Sequence, residues 1–256
     1  MNTRWTLTGK KALITGGTKG IGFAIAEEFA LLGAELALVA RNKDNLDKVC
    51  KRFTEKGVKC FGIQANVGKR EDYKKILNKI EKKWEGGLDV FVNNVGTNIR
   101  KKTDEYSFDE YDFIMNTNLR SAFELTRLLF PVLKKNEQSN VVFISSVAGQ
   151  IHLKTGAVYA MTKAAINQLT KNLAAEWAKD KIRVNTVAPW YIRTPLAETV
   201  LKNKTYLNEV LSRTPMNKIG EPEDVAAVVS FLSMPASAYV TGQIVSVDGG
   251  FTINGF

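Results

Sequence analysis

At 256 residues and 45% hydrophobic content the chain can bury a full core as one domain, while one histidine and two cysteines exclude a His/Cys metal cage, so no metal is expected. No serine lies in a GxSxG elbow, and no stretch approaches the roughly 18 uninterrupted apolar residues of a membrane span. The opening MNTRWTLTGKK has no apolar signal core, and we expect a soluble cytoplasmic protein with unpaired thiols at Cys50 and Cys60. The net charge of +10 is spread over segments such as EDYKKILNKIEKKW (71–84), where lysines interleave with acids; that reads as a solvated helix face rather than a nucleic-acid footprint, with attraction of a polyanionic cofactor by the positive field as the second reading.

In chain order, short runs rich in β-branched residues alternate with segments of helical period: KALIT (11–15), ELALVA (35–40), KCFGIQ (59–64), LDVFVNN (88–94), NVVFISS (140–146), IRVNTVA (182–188) and QIVSVD (243–248). Nearly continuous hydrophobicity predicts seven strands covered on both faces, hence a Rossmann-type doubly wound parallel α/β sheet in a single domain, 1–256. We expect a cofactor half over about 1–140, a catalytic and substrate half over about 141–256, and a lid at about 189–220, the least regular stretch. SFDE (107–110) predicts a capping box with Tyr111, Ile114 and Met115 on the apolar side of the helix, and Pro222 suits a first helical turn.

TGGTKGIG (15–22) directly follows the first strand and precedes the helical pattern FAIAEEFALLG. Gly16 suits the tight turn, Gly20 the approach of backbone to a pyrophosphate, and Gly22 close helix–strand packing, with helix-start N–H groups facing the phosphates. The second strand ends VARN, without the acid that would bond a ribose 2′-hydroxyl; Arg41 and Lys19 are placed to receive a 2′-phosphate, which favours NADP(H), unless both are solvated surface cations.

Tyr159 and Lys163 stand four apart in YAMTKAAINQLTKNLAAEW and share a helix face; of the seven tyrosines only this one has a lysine at that spacing. A nearby ammonium favours phenolate, so the pair suits general acid/base work, although the spacing alone also fits two surface residues. Ser146 ends the preceding strand in ISS, at the sheet edge where ligands meet such folds; a serine there can also simply bond its own backbone.

These motifs, with NNVG (93–96), NTNL (116–119) and VDGG (247–250), resemble those of the short-chain dehydrogenase/reductase family over the whole chain. NVGTNIRK, LAAEWAKDKIRVN, YVTGQI and the tail GGFTINGF resemble its tropinone-reductase-like branch. The resemblance implies that Tyr159 donates the proton, Ser146 bonds the substrate carbonyl, Lys163 lowers the tyrosine pKa and holds the nicotinamide ribose, and Asn118 holds a relay water. It further implies that Thr18, Ile21, Asn66, Val67, Asn93, Gly96, Pro189, Ile192 and Thr194 line the cofactor. Two departures stand out: Asn66 replaces an aspartate that would bond adenine, and Trp190 replaces a glycine. The family habit is a homodimer or homotetramer.

The substrate is expected between residues 97–103, the loop VAGQIHLKTGAV (147–158) and the lid, against Ile99, Val147, Ile151, Leu153, Tyr191, Leu196 and Leu201. The loop offers His152 and Lys154 and no acid for a cationic amine, which favours small neutral lipophilic ketones; His152 either touches substrate or is an ordinary loop histidine. Trp190 and Tyr191 sit in APWYIRTP (188–195), where an indole without positive φ implies extended backbone, facing the substrate or packing under the lid. An NADPH-dependent carbonyl reductase is therefore expected, with a β-ketoacyl thioester reductase as the enzymatic rival and a catalytically silent cofactor-binding sensor or scaffold as the non-enzymatic one.

Overall fold

The structure, a computed structural model, describes residues 4–255. Among these residues seven parallel strands lie in the order β3-β2-β1-β4-β5-β6-β7. They are β1 Lys11–Thr15, β2 Glu35–Ala40, β3 Cys60–Gln64, β4 Val90–Asn93, β5 Ser139–Ile144, β6 Ile182–Pro189 and β7 Ile244–Val247. Each falls within a residue or two of a predicted run. The helices are α1 Gly20–Leu31, α2 Lys43–Glu55, α3 Glu71–Lys83, α4 Phe108–Ile114, α5 Ser121–Leu133, α6 Ala157–Trp177, α7 Pro195–Leu201, α8 Lys204–Ser212 and α9 Pro222–Ser233.

Alternate residues along the central strands feed two cores. Leu13, Phe91, Val141 and Phe143 face Ile76, Leu125, Ile166 and Trp177 of α3, α5 and α6. Their neighbours Ile14, Val92 and Val142 face Ile25, Phe29, Val225 and Val229 of α1 and α9. Both faces are thus covered, as continuous apolar runs require. The order of strands reverses on either side of β1, which pairs with β2 on one flank and β4 on the other, and the crevice at such a switch point is where open α/β sheets bind ligands.

The capping box forms as predicted: Ser107 Oγ accepts from the Glu110 amide at 3.2 Å and Glu110 Oε2 from the Ser107 amide at 3.0 Å. The expected apolar side is narrower, because Ile114 is fully buried whereas Tyr111 is 38% exposed. Pro222 opens α9. The stretch after Pro189 is more regular than its prolines implied. Thr194 and Asn203 cap α7 and α8 by accepting from Ala197 and Tyr206 amides, and the apolar faces close on Ala197, Leu201, Val210 and Ile219. This excursion is tied at its base, where the Gly220 amide donates to Tyr191 O at 3.0 Å and the Arg193 amide to Gly220 O at 2.8 Å.

Candidate active site

The glycine turn leaves β1 at the switch point. Gly16 has φ +71, and a methyl added to Gly22 would lie 2.4 Å from Gly16 O and 2.5 Å from Asn94 Nδ2. Helix α1 can therefore start this close to β1 only with glycine at 22. Asn94, which the sequence did not single out, pins the turn: its amide nitrogen donates to Thr15 O at 2.9 Å and its backbone N–H to Thr15 Oγ1 at 3.0 Å. Thr18 and Ile21 are partly exposed beside it, and Gly20 abuts Thr194, whose Cγ2 would lie 3.3 Å from a methyl there. Lys19 and Arg41 are exposed and join no ion pair among the described residues. A narrow backbone cradle with two free cations beside it fits a dinucleotide phosphate group.

Along the adjoining strand ends, Asn93 and Val67 are buried, and Asn66 begins a turn in which its Oδ1 already accepts from the Gly68 amide at 3.0 Å. The expected contact of Asn66 with adenine has to share that oxygen.

From the turn a cavity of about 460 Å³ opens between β4, β5, β6 and the lid. Ser146, Tyr159 and Lys163 line it, together with Ile21, Gly96, Pro189, Ile192 and Thr194. Three contacts hold the catalytic candidates in register: Ser145 Oγ donates to Lys163 O at 3.1 Å, Lys163 Nζ to Ile144 O at 2.7 Å, and Asn167 Nδ2 to Gly149 O at 3.1 Å. They fasten the end of β5 and its following turn to α6. Ser146 accepts from the Ala148 amide at 3.2 Å, the ordinary strand-end bond, and donates to Pro189 O at 3.5 Å, yet it still lines the cavity.

Asn118 stands behind the wall, fully buried, on a π-helical turn, Met115–Arg120, between α4 and α5. Its side chain pairs with the main chain of Thr97, accepting from the amide at 2.8 Å and donating to the carbonyl at 2.9 Å, and donates to Thr162 Oγ1 at 3.2 Å. Such a bulge in a helix often marks a functional position.

Burial pushes the Tyr159 phenol up, against the pull of the Ser146 hydroxyl and the Arg100 charge. Burial also lowers Lys163 to about 8. In this state the Lys163 ammonium lies 5.5 Å from the ring centroid and donates its bond to Ile144 O, so burial is the larger influence on the phenol.

The substrate side differs in detail from the expectation. Ile151, His152, Leu153, Tyr191 and Leu196 line the cavity. Val147 is fully buried in the turn after β5, Leu201 lies inside the lid, and Ile99 offers its carbonyl to the Tyr106 hydroxyl; none of these lines the cavity. Trp190 avoids positive φ, but the chain bends there instead of running on extended. Its indole both lines the cavity and packs: it stacks on Phe251 with centroids 3.7 Å apart, meets Tyr191 edge-on at 4.6 Å, and donates to Thr214 Oγ1 at 3.2 Å. The cavity further includes Arg100, Tyr206, Glu209, Arg213 and Phe251, which lie in the expected segment 97–103, the lid and the tail GGFTINGF but were not singled out as individual residues.

A family model described as Enoyl-(Acyl carrier protein) reductase matches residues 16–252. A tropinone reductase homologue of Arabidopsis thaliana is 50% identical over 253 residues, 99% of this chain and 96% of that one. A short-chain type dehydrogenase/reductase from Mycobacterium marinum superposes with a TM-score of 0.91 at 30% identity, covering 97% of this chain and 98% of that one. The chain belongs to the short-chain dehydrogenase/reductase family. It is an NAD(P)-dependent oxidoreductase acting on CH–OH groups. A gluconate 5-dehydrogenase from Burkholderia cenocepacia, solved with NADP and tartrate, has a TM-score of 0.94 at 29% identity and covers 98% of each chain. Among the described residues of this dehydrogenase/reductase, no cluster could hold a metal ion and no helix is long and apolar enough to cross a membrane.

Proposed function

We propose that the protein is an NADPH-dependent carbonyl reductase, transferring hydride between NADP(H) and a small lipophilic, cyclic ketone or the corresponding alcohol. The observation that carries this reading is the convergence of Ser146, Tyr159 and Lys163 on one end of an aromatic-walled cavity that opens from the glycine turn. Free Arg41 and Lys19 support NADP(H) over NAD(H), as does the NADP bound in the Burkholderia relative.

When bound, the nicotinamide supplies hydride to the carbonyl carbon or accepts it back. In the reductive direction Tyr159, kept neutral by burial, donates its proton to the carbonyl oxygen, and the Ser146 hydroxyl donates a hydrogen bond to the same developing alkoxide. Lys163 holds its ammonium beside the tyrosine, where it stabilises the phenolate left behind. Both amide protons of Asn118 are engaged, so a relay water there has to use its remaining Oδ1 lone pair or its main-chain carbonyl; the side chain's own part is to fix residue 97 at the cavity wall.

Cytoplasmic residence and a homodimer or homotetramer belong to the same reading. The thiols of Cys50 and Cys60 are free, and Phe108, Phe113, Phe123 and Met161 leave α4, α5 and α6 with exposed apolar side chains, Phe108 at 93%. A monomeric mass by light scattering would contradict the assembly.

A β-ketoacyl thioester reductase keeps one specific support, the cationic side chains near the cavity. A panel of ketones and alcohols followed by NADPH absorbance tests both readings, with tropinone, cyclic monoterpenoid ketones and β-ketoacyl esters included. Cyclic ketones turned over faster than acyl esters support the proposal; the reverse order overturns the substrate assignment, and no turnover with any member favours a silent cofactor-binding protein.

A further inference from the structure

Four side chains lining the cavity besides Lys163 carry full charges: Arg100, Lys154, Glu209 and Arg213. Lys154 of the loop after β5 and Glu209 of α8 form an ion pair, so the one carboxylate is neutralised. The two guanidinium groups are not: neither Arg100 nor Arg213 joins an ion pair among the described residues. Both residues are exposed, which places them at the open side.

The two arginines are tied to the aromatic wall that runs inward to the reacting groups. Arg213 holds its guanidinium carbon 5.9 Å from the centroid of Phe251, which lies flat on Trp190. Arg100 is close enough to Tyr159 and Tyr191 for its charge to act on both phenols, and Tyr191 shares a 2.6 Å hydrogen bond with Tyr206. The cavity thus carries Ser146 and Tyr159, a wall of Trp190, Tyr191 and Phe251, and two exposed guanidinium groups at its open end. A cationic amine at that end finds no free acid and two positive charges.

We propose that this site selects ketones that carry a carboxylate, small keto acids whose apolar body packs on Trp190 and whose acid group is received by Arg100 and Arg213. The proposal rests on the carbonyl-reductase reading and adds a charged end to the lipophilic ketone of that reading. A guanidinium fork matches a carboxylate in geometry as well as charge, and a substrate anion would supply the ionic partner that both groups lack among the described residues, beside the Tyr191 hydroxyl that Arg100 bonds and the Phe251 ring that Arg213 covers.

The test compares a cyclohexanone bearing a carboxylate on the ring carbon opposite the ketone with its methyl ester and its primary amide, which keep the bulk and lose the charge. With NADPH, kcat/KM for the acid should exceed that for ester and amide by about tenfold or more, the effect of one charge-assisted hydrogen bond. The excess should lie in KM. It should shrink several-fold in Arg100→Met and Arg213→Met and return in part in Arg100→Lys, with folding of each variant checked by its melting temperature. Equal kcat/KM for acid and ester in the wild type, or a preference that survives in both methionine variants, overturns the inference and leaves the reductase reading standing. Failure of all three ketones to be reduced while NADPH binds overturns both.

Discussion

The glycine turn and the substrate end of the cavity are built on opposite plans. At the turn the work is done by backbone: Gly16 takes a positive φ, Gly22 lets Gly16 O approach, and the Asn94 side chain locks the arrangement to β1. All of it comes from two neighbouring strand ends and the start of one helix. At the substrate end side chains from the loop after β4, the loop after β5, the end of β6, α8 and the segment after β7 meet, joined by Trp190 stacked on Phe251 and by the Lys154–Glu209 pair. The first plan tolerates almost no change of side chain and serves any ligand with the same phosphate group. The second can be altered residue by residue without disturbing the sheet, which is where substrate choice can vary.

The largest effect on stability and cofactor binding should follow from filling the turn. Gly22→Val places a side chain where 2.4 Å separates its Cβ from Gly16 O, so stability should fall by about 1–3 kcal/mol and NADPH affinity more than tenfold, measured by denaturant unfolding and by fluorescence titration. Unchanged affinity would show that the cradle is not the phosphate site. Next, Arg41→Asp should shift the ratio of NADPH to NADH affinity toward NADH by about tenfold or more, since it removes one charge-assisted contact and adds a repulsive charge. An unaltered ratio would return Arg41 to the solvated surface.

Lys163 offers a pH-dependent comparison between buried site and surface. Its folded pKa is lowered to about 8 from 10.5, so between those values the unfolded chain holds more protons than the folded one, and this group's contribution to stability rises with pH across that window. The unfolding free energy of the wild type should therefore increase relative to Lys163→Met from pH 7 to 10. A difference independent of pH would mean that the ammonium is not desolvated as its burial implies. The smallest effect on the fold should come from Trp190→Gly, which removes the stack on Phe251 but leaves the sheet: a few-fold change in relative kcat/KM among ketones, with NADPH affinity nearly constant. An unaltered substrate profile would leave Trp190 only its packing role.

What could be read in the sequence follows the same division. Strand positions, the turn glycines, the Tyr159–Lys163 spacing and the Ser107 cap depend on neighbours within a few residues, and all took the expected local form. The walls were partly legible: His152, Trp190, Tyr191 and Leu196 do line the cavity, whereas Val147 and Ile99 do not, because a residue's place in a loop does not say which way its side chain turns. Arg100 and Arg213 lay in segments expected at the substrate, yet they and Phe251 were not picked out as residues, since only the folded chain brings the loop after β4, the end of α8 and the C-terminal turn to one place. Asn94 was visible within NNVG, but its bond to Thr15 depends on the pairing of β1 with β4. The helices of the lid were obscured by its prolines, one of which, Pro195, starts α7 rather than breaking it.

Chemistry and binding separate most directly at Tyr159, whose hydroxyl the account assigns to proton donation and not to holding the cofactor. In single-turnover reduction of a cyclic ketone by bound NADPH, Tyr159→Phe should be about 10²–10⁴-fold slower than the wild type while the Kd for NADPH stays within a few-fold. Reduction by the phenylalanine variant at the wild-type rate would contradict the proposed mechanism at its centre.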